Sequence, residues 1–107
     1  MTDSVFVVLS TIGSFGEAEH VAKTLVKERL AACVNLIPKI QSIYEWNGEL
    51  CEESEVLLVI KTAQSALSFL QKRLKEIHPY ELPEIIDLPV DRGFESYLAW
   101  VVQQTGR

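Results

Sequence analysis

Three features of the 107-residue sequence predict an α+β fold. Short β-branched runs alternate with segments whose apolar residues recur every three or four positions, so strands and helices should alternate along the chain. Asn47-Gly48 lies between two long extended segments, and this pair is the strongest short-range hairpin signal because both residues tolerate positive φ. Apolar residues make up 48% of the chain and charged residues 23%, a composition typical of a folded globular protein.

The first part of the chain predicts a buried strand followed by an amphipathic helix. The strand covers residues 4–12, SVFVVLSTI, a nearly continuous apolar run. Ser14 stands three residues before Glu17, the spacing of a capping box, so the helix should begin there. Apolar residues then recur at helical spacing as far as Leu30, which predicts one helix ending at about that residue with a single stripe against the sheet.

Residues 33–46 and 49–62 should form a hairpin that is too long for the rest of the domain. Fourteen residues at about 3.3 Å each span about 46 Å, whereas a domain of this length is about 34 Å across. Part of the hairpin should therefore project as an arm. Pro38 has no backbone N–H to give to a sheet, and it predicts a β-bulge where the arm bends away.

The second half completes the fold. A helix is predicted over residues 64–77, a fourth strand over 84–90 and a short terminal helix over 92–104. The resulting order of elements is the ferredoxin-like split βαβ sandwich, here with an extended β-hairpin arm and an appended C-terminal helix. No linker-like stretch interrupts the pattern, so residues 1–107 are predicted to form a single domain.

The two central strands predict that the sheet is covered on both faces. Residues 5–9 (VFVVL) and 56–60 (VLLVI) are apolar at both odd and even positions, whereas strands of a sheet with one face in water should alternate apolar and polar residues. A second copy of the chain is the simplest cover, which together with the projecting arm predicts an obligate oligomer. Alternatively, the terminal helix alone folds across that face with Phe94, Leu98, Trp100 and Val101.

Charge and cysteine content exclude some classes of function. The net charge is −5 and Lys and Arg form no basic run, so nucleic acid is not an expected partner. The N-terminal apolar run is too short to span a bilayer and lacks the features of a signal peptide, which predicts a cytoplasmic protein without membrane insertion. Cys33 and Cys51 should be free thiols in a reducing compartment.

The segment IHPYELPEI, residues 77–85, is the candidate functional stretch. Its prolines restrict the residues before them, so His78 and Tyr80 should be held in nearly fixed positions, and the prolines should matter more to stability than His78. At the end of a helix the dipole should favour a protonated His78 facing solvent or a polar cleft. The alternative is a rigid crossover in which His78 only caps its helix.

Other candidates lie on the hairpin. Tyr44 and Trp46 share one parity and could pack against a second copy or line a ligand pocket together with His78, Tyr80 and Glu84. The cluster CEESE, residues 51–55, could attract a cation, although a solvated acidic strand is the simpler interpretation. No recognisable arrangement of a nucleophile with a base is present, so the protein is not predicted to be an enzyme.

Four blocks of the sequence, taken in order, resemble the CutA family of divalent-cation tolerance proteins. They are residues 28–50 (ERLAACVNLIPKIQSIYEWNGEL), 54–62 (SEVLLVIKT), 78–90 (HPYELPEIIDLPV) and 97–101 (YLAWV). The resemblance implies a cytoplasmic homotrimer that resembles the PII signalling proteins, has a role in tolerance of copper and other divalent metals, and binds copper.

The proposed metal ligands of that family match this chain only in part. A cysteine at the end of the first strand corresponds to Ser10, and a double histidine corresponds to Ile77-His78. The resemblance therefore leaves His78 as the candidate metal ligand, with copper or another divalent cation as the candidate cofactor. Two functions follow: a non-enzymatic trimer that binds a divalent metal, or a PII-like sensor that binds a small molecule or a partner protein in its intersubunit clefts.

Overall fold

A computed structural model describes residues 3–107, so the first two residues of the predicted domain lie outside the described part. The α+β fold is confirmed. Three helices accompany one four-stranded antiparallel sheet. The elements are β1 (Val5–Ile12), α1 (Phe15–Lys27), β2 (Cys33–Trp46), β3 (Glu49–Ala63), α2 (Leu67–Ile77), β4 (Ile86–Pro89) and α3 (Glu95–Thr105). The strand order in the sheet is β2-β3-β1-β4.

The core lies between the sheet and the helices α1 and α2. Alternate residues of the two central strands, and the apolar stripes of the two helices, meet there without exposed surface. They include Val8, Ile12, Leu58 and Ile60 from the strands and Leu25, Leu70 and Leu74 from the helices. Burying each such side chain contributes about 1.5–3 kcal/mol, so this layer is the main source of stability.

Helix α1 begins where the sequence predicts and ends earlier. The Ser14 hydroxyl accepts a hydrogen bond from the Glu17 N–H at 3.3 Å, so the predicted cap is confirmed. The helix ends at Lys27, because Arg29 takes a left-handed conformation with φ 58°. The Leu30 N–H then reaches back to the Leu25 carbonyl at 2.9 Å, a Schellman-type ending that still buries Leu30. The apolar stripe extends beyond the helix, which explains the overestimated length.

The other boundaries differ by a few residues. The first three residues predicted for the second helix form a separate 3₁₀ turn, and the fourth strand spans four residues because only these pair with β1. The terminal helix begins three residues later and ends one residue later than predicted. In residues 3–107 no helix has the length and hydrophobicity needed to cross a membrane.

The predicted arm is confirmed by the strand pairing. β1 pairs with β3 from Val5↔Ala63 to Ile12↔Val56, so residues 49–55 of β3 pair only with β2. This two-stranded arm ends in the Asn47-Gly48 turn, in which both residues have positive φ. The molecule is accordingly elongated, with extents of 47 × 25 × 21 Å.

A bulge at the base of the arm changes which residues share a face. Before it Ile37 pairs with Leu57, and after it Ile40 pairs with Glu55, so β2 contains one extra residue there. Lys39 accommodates it with φ 62°, next to the predicted position Pro38. Because side chains alternate along a strand, one extra residue moves every later side chain of β2 to the opposite face.

Helix α3 packs on the sheet face opposite the two long helices. Burial and the nearby Cys33 side chain raise the pKa of Tyr97, so α3 lies beside Cys33. Cys33 pairs with Lys61, which alternates with core residues of β3 and therefore lies on the other face. Thr105 is buried and its hydroxyl accepts a hydrogen bond from the Ala63 N–H at 2.9 Å. The terminal helix therefore contacts the second face, which agrees with part of the alternative prediction, but Phe94, which that alternative placed on the face, is 78% exposed.

Candidate ligand cleft at the base of the arm

The crossover from α2 to β4, residues 78–85, packs at the end of β1, beside the base of the arm. Tyr80 anchors it there, because its hydroxyl donates a hydrogen bond to Glu55 Oε2 at 2.6 Å. The same hydroxyl lies against the backbone of Gly13, where an added Cβ atom would stand 3.0 Å from it. Gly13 therefore keeps open the space that Tyr80 needs.

Burial and the Glu55 carboxylate both raise the pKa of Tyr80 above its ordinary value of 10.0. The phenol consequently keeps its proton and acts as the donor in this hydrogen bond. The crossover is thus held to β3 by a charge-assisted hydrogen bond, which is stronger than one between neutral groups.

His78 connects the crossover to β1. It forms the C-cap of α2, and its ring Nε2 lies 3.0 Å from the Thr11 carbonyl oxygen. Its Nδ1 accepts a hydrogen bond from the Tyr80 N–H at 3.0 Å. A carbonyl oxygen can only accept and an N–H can only donate, so the ring is neutral with its proton on Nε2.

The expectation of a protonated His78 facing solvent or a polar cleft is wrong. The side chain is only 7% exposed, and burial lowers its pKa below the ordinary value of 6.5. The Thr11 carbonyl and the carboxylates of Glu55 and Glu17 act in the opposite direction on the pKa, but burial is the larger effect. The helix dipole is outweighed because the neighbouring segments remove His78 from water.

A cavity of about 1080 Å³ opens between the arm and the crossover. Its lining includes Tyr44, Trp46, Tyr80 and Glu84, four of the five residues that the sequence suggested for a pocket. His78, the fifth, is not in the lining: its ring packs against the Tyr80 ring with centroids 4.9 Å apart. His78 therefore supports the cleft wall and does not face the cavity.

Alternation along the arm brings aromatic and acidic side chains to the same face. The pairs Tyr44↔Cys51 and Ser42↔Glu53 are directly opposite each other in the register, so their side chains share one side of the arm. The Tyr44 hydroxyl donates a hydrogen bond to Glu53 Oε1 at 3.3 Å. The bulge at Lys39 is what places these β2 residues on the face that carries Glu55.

Sequence reasoning missed three acids of this cleft: Glu81 on the crossover, and Glu53 and Glu55, which it interpreted as a solvated stretch of the arm. Glu55 is only 7% exposed. The available signal was the position of Cys51, Glu53 and Glu55 at every second residue of one strand. It assigns these side chains to the cleft only when the pairing register across the bulge is known. Cys51 lies in the same lining, and Cys51 and Cys33 are both free and half-buried.

The positions that correspond to family metal ligands do not converge in one chain. Ser10 is fully buried on the helix-facing side of β1, between Val8 and Ile12, and its hydroxyl has no partner in the described structure. Both ring nitrogens of His78 are engaged. Within residues 3–107 no group of three or more His, Cys, Asp or Glu side chains could hold a metal ion. The residues of a single chain therefore do not fit a metal centre.

The sequence comparisons place similarity over nearly the whole chain. The family described as CutA1 divalent ion tolerance protein matches residues 6–104. The divalent-cation tolerance protein CutA of Thermus thermophilus is 49% identical over 94% of this chain and 97% of its own length. The chloroplastic protein CutA of Arabidopsis thaliana is 42% identical over 92% of this chain, which spans about half of that relative (54%).

Solved structures show the same fold. The Thermus thermophilus protein superposes with a TM-score of 0.92 at 48% identity, covering 95% of this chain and 99% of that one. A protein described as PII-like CutA, from a Nostoc species in its apo form, superposes with a TM-score of 0.88 at 38% identity, covering 94% and 96%.

Proposed function

Because the chain belongs to the CutA family of divalent-cation tolerance proteins, we propose that it acts in divalent-cation tolerance as a homotrimer that binds a small ligand reversibly. The ligand site is the cleft between the arm and the crossover. The observation that carries this proposal is a large cavity walled by aromatic side chains and by a buried carboxylate fixed by Tyr80. Pockets with apolar walls and a few fixed polar groups are typical ligand sites.

This geometry favours the sensor hypothesis over metal binding through His78. A metal ion would have to displace either the Thr11 carbonyl or the Tyr80 N–H from the ring, and His78 belongs to no group of three or more potential ligands in the described chain. The Nostoc relative, described as PII-like, agrees with a sensor.

The trimer proposal rests on unpartnered surface. In a single copy, β2 and β4 are open edges of the sheet, and such edges pair readily with another chain. Large apolar side chains on the arm, the crossover and the α3 segment are also exposed: Leu50 by 73%, Leu82 by 71% and Phe94 by 78%. Two different edges favour a head-to-tail ring, and a closed ring of three agrees with the implied family trimer.

We also propose that the protein does not catalyse a reaction. The cleft lining contains carboxylates, hydroxyls and one thiol, and the only nearby imidazole is turned away and fully hydrogen-bonded. The cytoplasmic location remains a prediction, since one of the relatives is described as chloroplastic.

Direct metal binding is the second candidate, and one observation favours it. Cys51 lines the cleft on the same face of the arm as Glu53 and Glu55, so a thiolate and carboxylates from more than one copy could meet in an assembly. A thiolate suits Cu(I), and carboxylates suit harder divalent ions. In this form of the proposal Cys51, and not His78, is the main copper ligand.

A thermal-shift panel on the assembled protein separates the two candidates. It contains Cu(II), Zn(II), primary amines, neutral alcohols, carboxylates and nucleotides, each tested on wild type, Trp46→Ala and Trp100→Ala. Binding to the folded protein raises Tm with ligand concentration. We expect at least one organic compound to raise Tm in wild type and Trp100→Ala but not in Trp46→Ala.

The controls define the outcomes. Trp46 lines the cleft and Trp100 lies on α3, so the two substitutions remove the same side chain from different regions. A shift with metal alone that Cys51→Ser removes would establish the second candidate. The cleft proposal fails if no compound in the panel gives a shift that depends on Trp46. Light scattering that shows a stable folded monomer, and not about three times 12.1 kDa, would overturn the trimer.

A further inference from the structure

The cleft carries negative charge without any positive charge beside it. Four carboxylates line it: Glu53, Glu55, Glu81 and Glu84. No Lys, Arg or His is among its lining residues in the described chain. The ion pairs found in residues 3–107 all lie elsewhere, on α1, on α2 and before α3. The four carboxylates therefore make the cleft attractive to cations and repulsive to anions.

Among the four cleft carboxylates, Glu55 is the one at which a positively charged partner is most expected. Its side chain is more than nine-tenths buried, and acidic residues are almost never buried unless they are paired. Its hydrogen-bond partner is the neutral Tyr80 hydroxyl, which takes Oε2. The other oxygen, Oε1, makes no hydrogen bond within residues 3–107. This oxygen is not among the enclosed unpartnered atoms of the described residues, so it faces accessible space, where a positively charged group could donate a charge-assisted hydrogen bond to it.

The walls of the cleft indicate what kind of cation fits. The carboxylates are too dispersed to surround one metal ion, as no chelating group of three exists in the described chain. Tyr44 and Trp46 instead present aromatic surface on the same side of the arm as Glu53. Aromatic faces attract ammonium and guanidinium groups and also bury hydrocarbon. An apolar body with a charged head group matches both features.

We propose that the cleft binds a small organic cation, an amine or guanidinium attached to an apolar body. The inference rests on the proposed ligand cleft and names the class of its ligand. The charged head meets Glu55, which Tyr80 holds in place, and the apolar body lies against Tyr44 and Trp46. Phosphate-bearing and carboxylate ligands are excluded by the four cleft carboxylates.

Calorimetric titration of the assembled protein with three matched probes tests the inference. The probes are 2-phenylethylamine, 2-phenylethanol and phenylacetate, which share an aromatic body and differ in charge. We expect the amine to bind at least about tenfold more tightly than the alcohol, and phenylacetate to show no measurable binding, because only the amine brings a positive charge to the cleft carboxylates and phenylacetate brings a negative one.

Two substitutions with the same change in charge locate the effect. Glu55→Gln keeps an oxygen for the Tyr80 hydroxyl and removes the charge, so the amine should bind about tenfold more weakly while the affinity for the alcohol changes much less. Glu52→Gln lies on the opposite face of the arm and outside the cleft lining, so affinity should change less than about twofold there.

Failure of this inference can be told apart from failure of the proposed function. Equal affinity for amine and alcohol would overturn the cation specificity and leave a ligand cleft. If no probe binds and Glu55→Gln instead weakens the trimer in light scattering, a side chain of a second copy pairs with Glu55, and the inference is wrong. If, in addition, no compound of the thermal-shift panel depends on Trp46, the ligand cleft itself is wrong.

Discussion

The helix-covered body of the molecule and the cleft at the base of the arm are built in different ways. In the body, apolar residues recur at regular strand or helix spacing along the sequence, and side chains such as Leu58 and Leu70 are wholly buried. In the cleft, three distant segments meet through a few polar contacts, among them Tyr80 with Glu55 and His78 with Thr11. Stability is therefore concentrated in the body, and chemical selectivity in the cleft.

The largest difference between the two regions should appear on truncating a leucine in each. Leu58→Ala leaves a cavity in the core and should lower the free energy of unfolding by about 3 kcal/mol. Leu50→Ala, at an arm position that is 73% exposed within one chain, should lower it less and by an amount that depends on protomer concentration, because only another copy can cover this side chain. Urea denaturation at fixed protomer concentration measures both. A larger effect from Leu50 would mean that intersubunit packing of the arm dominates stability.

In the segment behind the cleft wall, His78 should matter more to stability than the proline beside it. His78→Ala removes two hydrogen bonds from a buried site, which should cost about 2 kcal/mol, whereas Pro79→Gly at an exposed position should cost about 1 kcal/mol through the unfolded chain. The sequence alone predicts the reverse order, because it does not reveal the burial of His78. Equal melting temperatures for wild type and His78→Ala would show that the described contacts contribute nothing.

The lowered pKa of His78 predicts that the folded protein loses stability in acid. The folded protein holds this ring neutral, so its contribution to stability is present above the ordinary pKa of about 6.5 and declines as the pH falls below it. The loss should not exceed about 1.4 kcal/mol per pH unit per chain. Denaturation measured between pH 7.5 and 5 should show that the free energy of unfolding declines less in His78→Gln than in wild type. The control His20→Gln, at an exposed position on α1, should behave as wild type.

The smallest expected effects concern two strained residues, one in each region. Arg29 at the end of α1 and Lys39 in the bulge both have positive φ, with values of 58° and 62°. Glycine adopts this conformation without strain, so Arg29→Gly and Lys39→Gly should each stabilise the protein by about 0.5 kcal/mol. Thermal denaturation should show a similar increase in Tm for both variants. A loss at Lys39 alone would mean that its side chain takes part in contacts of the arm.

The body could be predicted from the sequence because its signals are local. Helical spacing identified α1 and α2, the Asn47-Gly48 pair identified the hairpin, and Pro38 indicated the bulge. The main error was the end of α1, where Leu30 continues the apolar stripe after the chain has turned at Arg29. Periodicity records which side chains are buried, and it does not record where the backbone hydrogen bonds stop.

The cleft could be predicted only in part, because its chemistry depends on distant contacts. Tyr44, Trp46, Tyr80 and Glu84 were suggested by residue type and position, and the structure brings them to one cavity. Glu55 was missed because its burial depends on Tyr80, 25 residues away. The environment of His78 was misjudged for the same reason, since the Thr11 carbonyl lies 67 residues away in sequence.

The most direct test of the ligand cleft follows the two tryptophans by NMR, one in each region of the molecule. The indole N–H signals of Trp46, in the cleft, and Trp100, on α3, are monitored while 2-phenylethylamine is added to the assembled protein. The account predicts that the Trp46 signal shifts and saturates while the Trp100 signal stays in place. A saturable shift of Trp100 alone, or no saturation of Trp46 at any concentration, would contradict it.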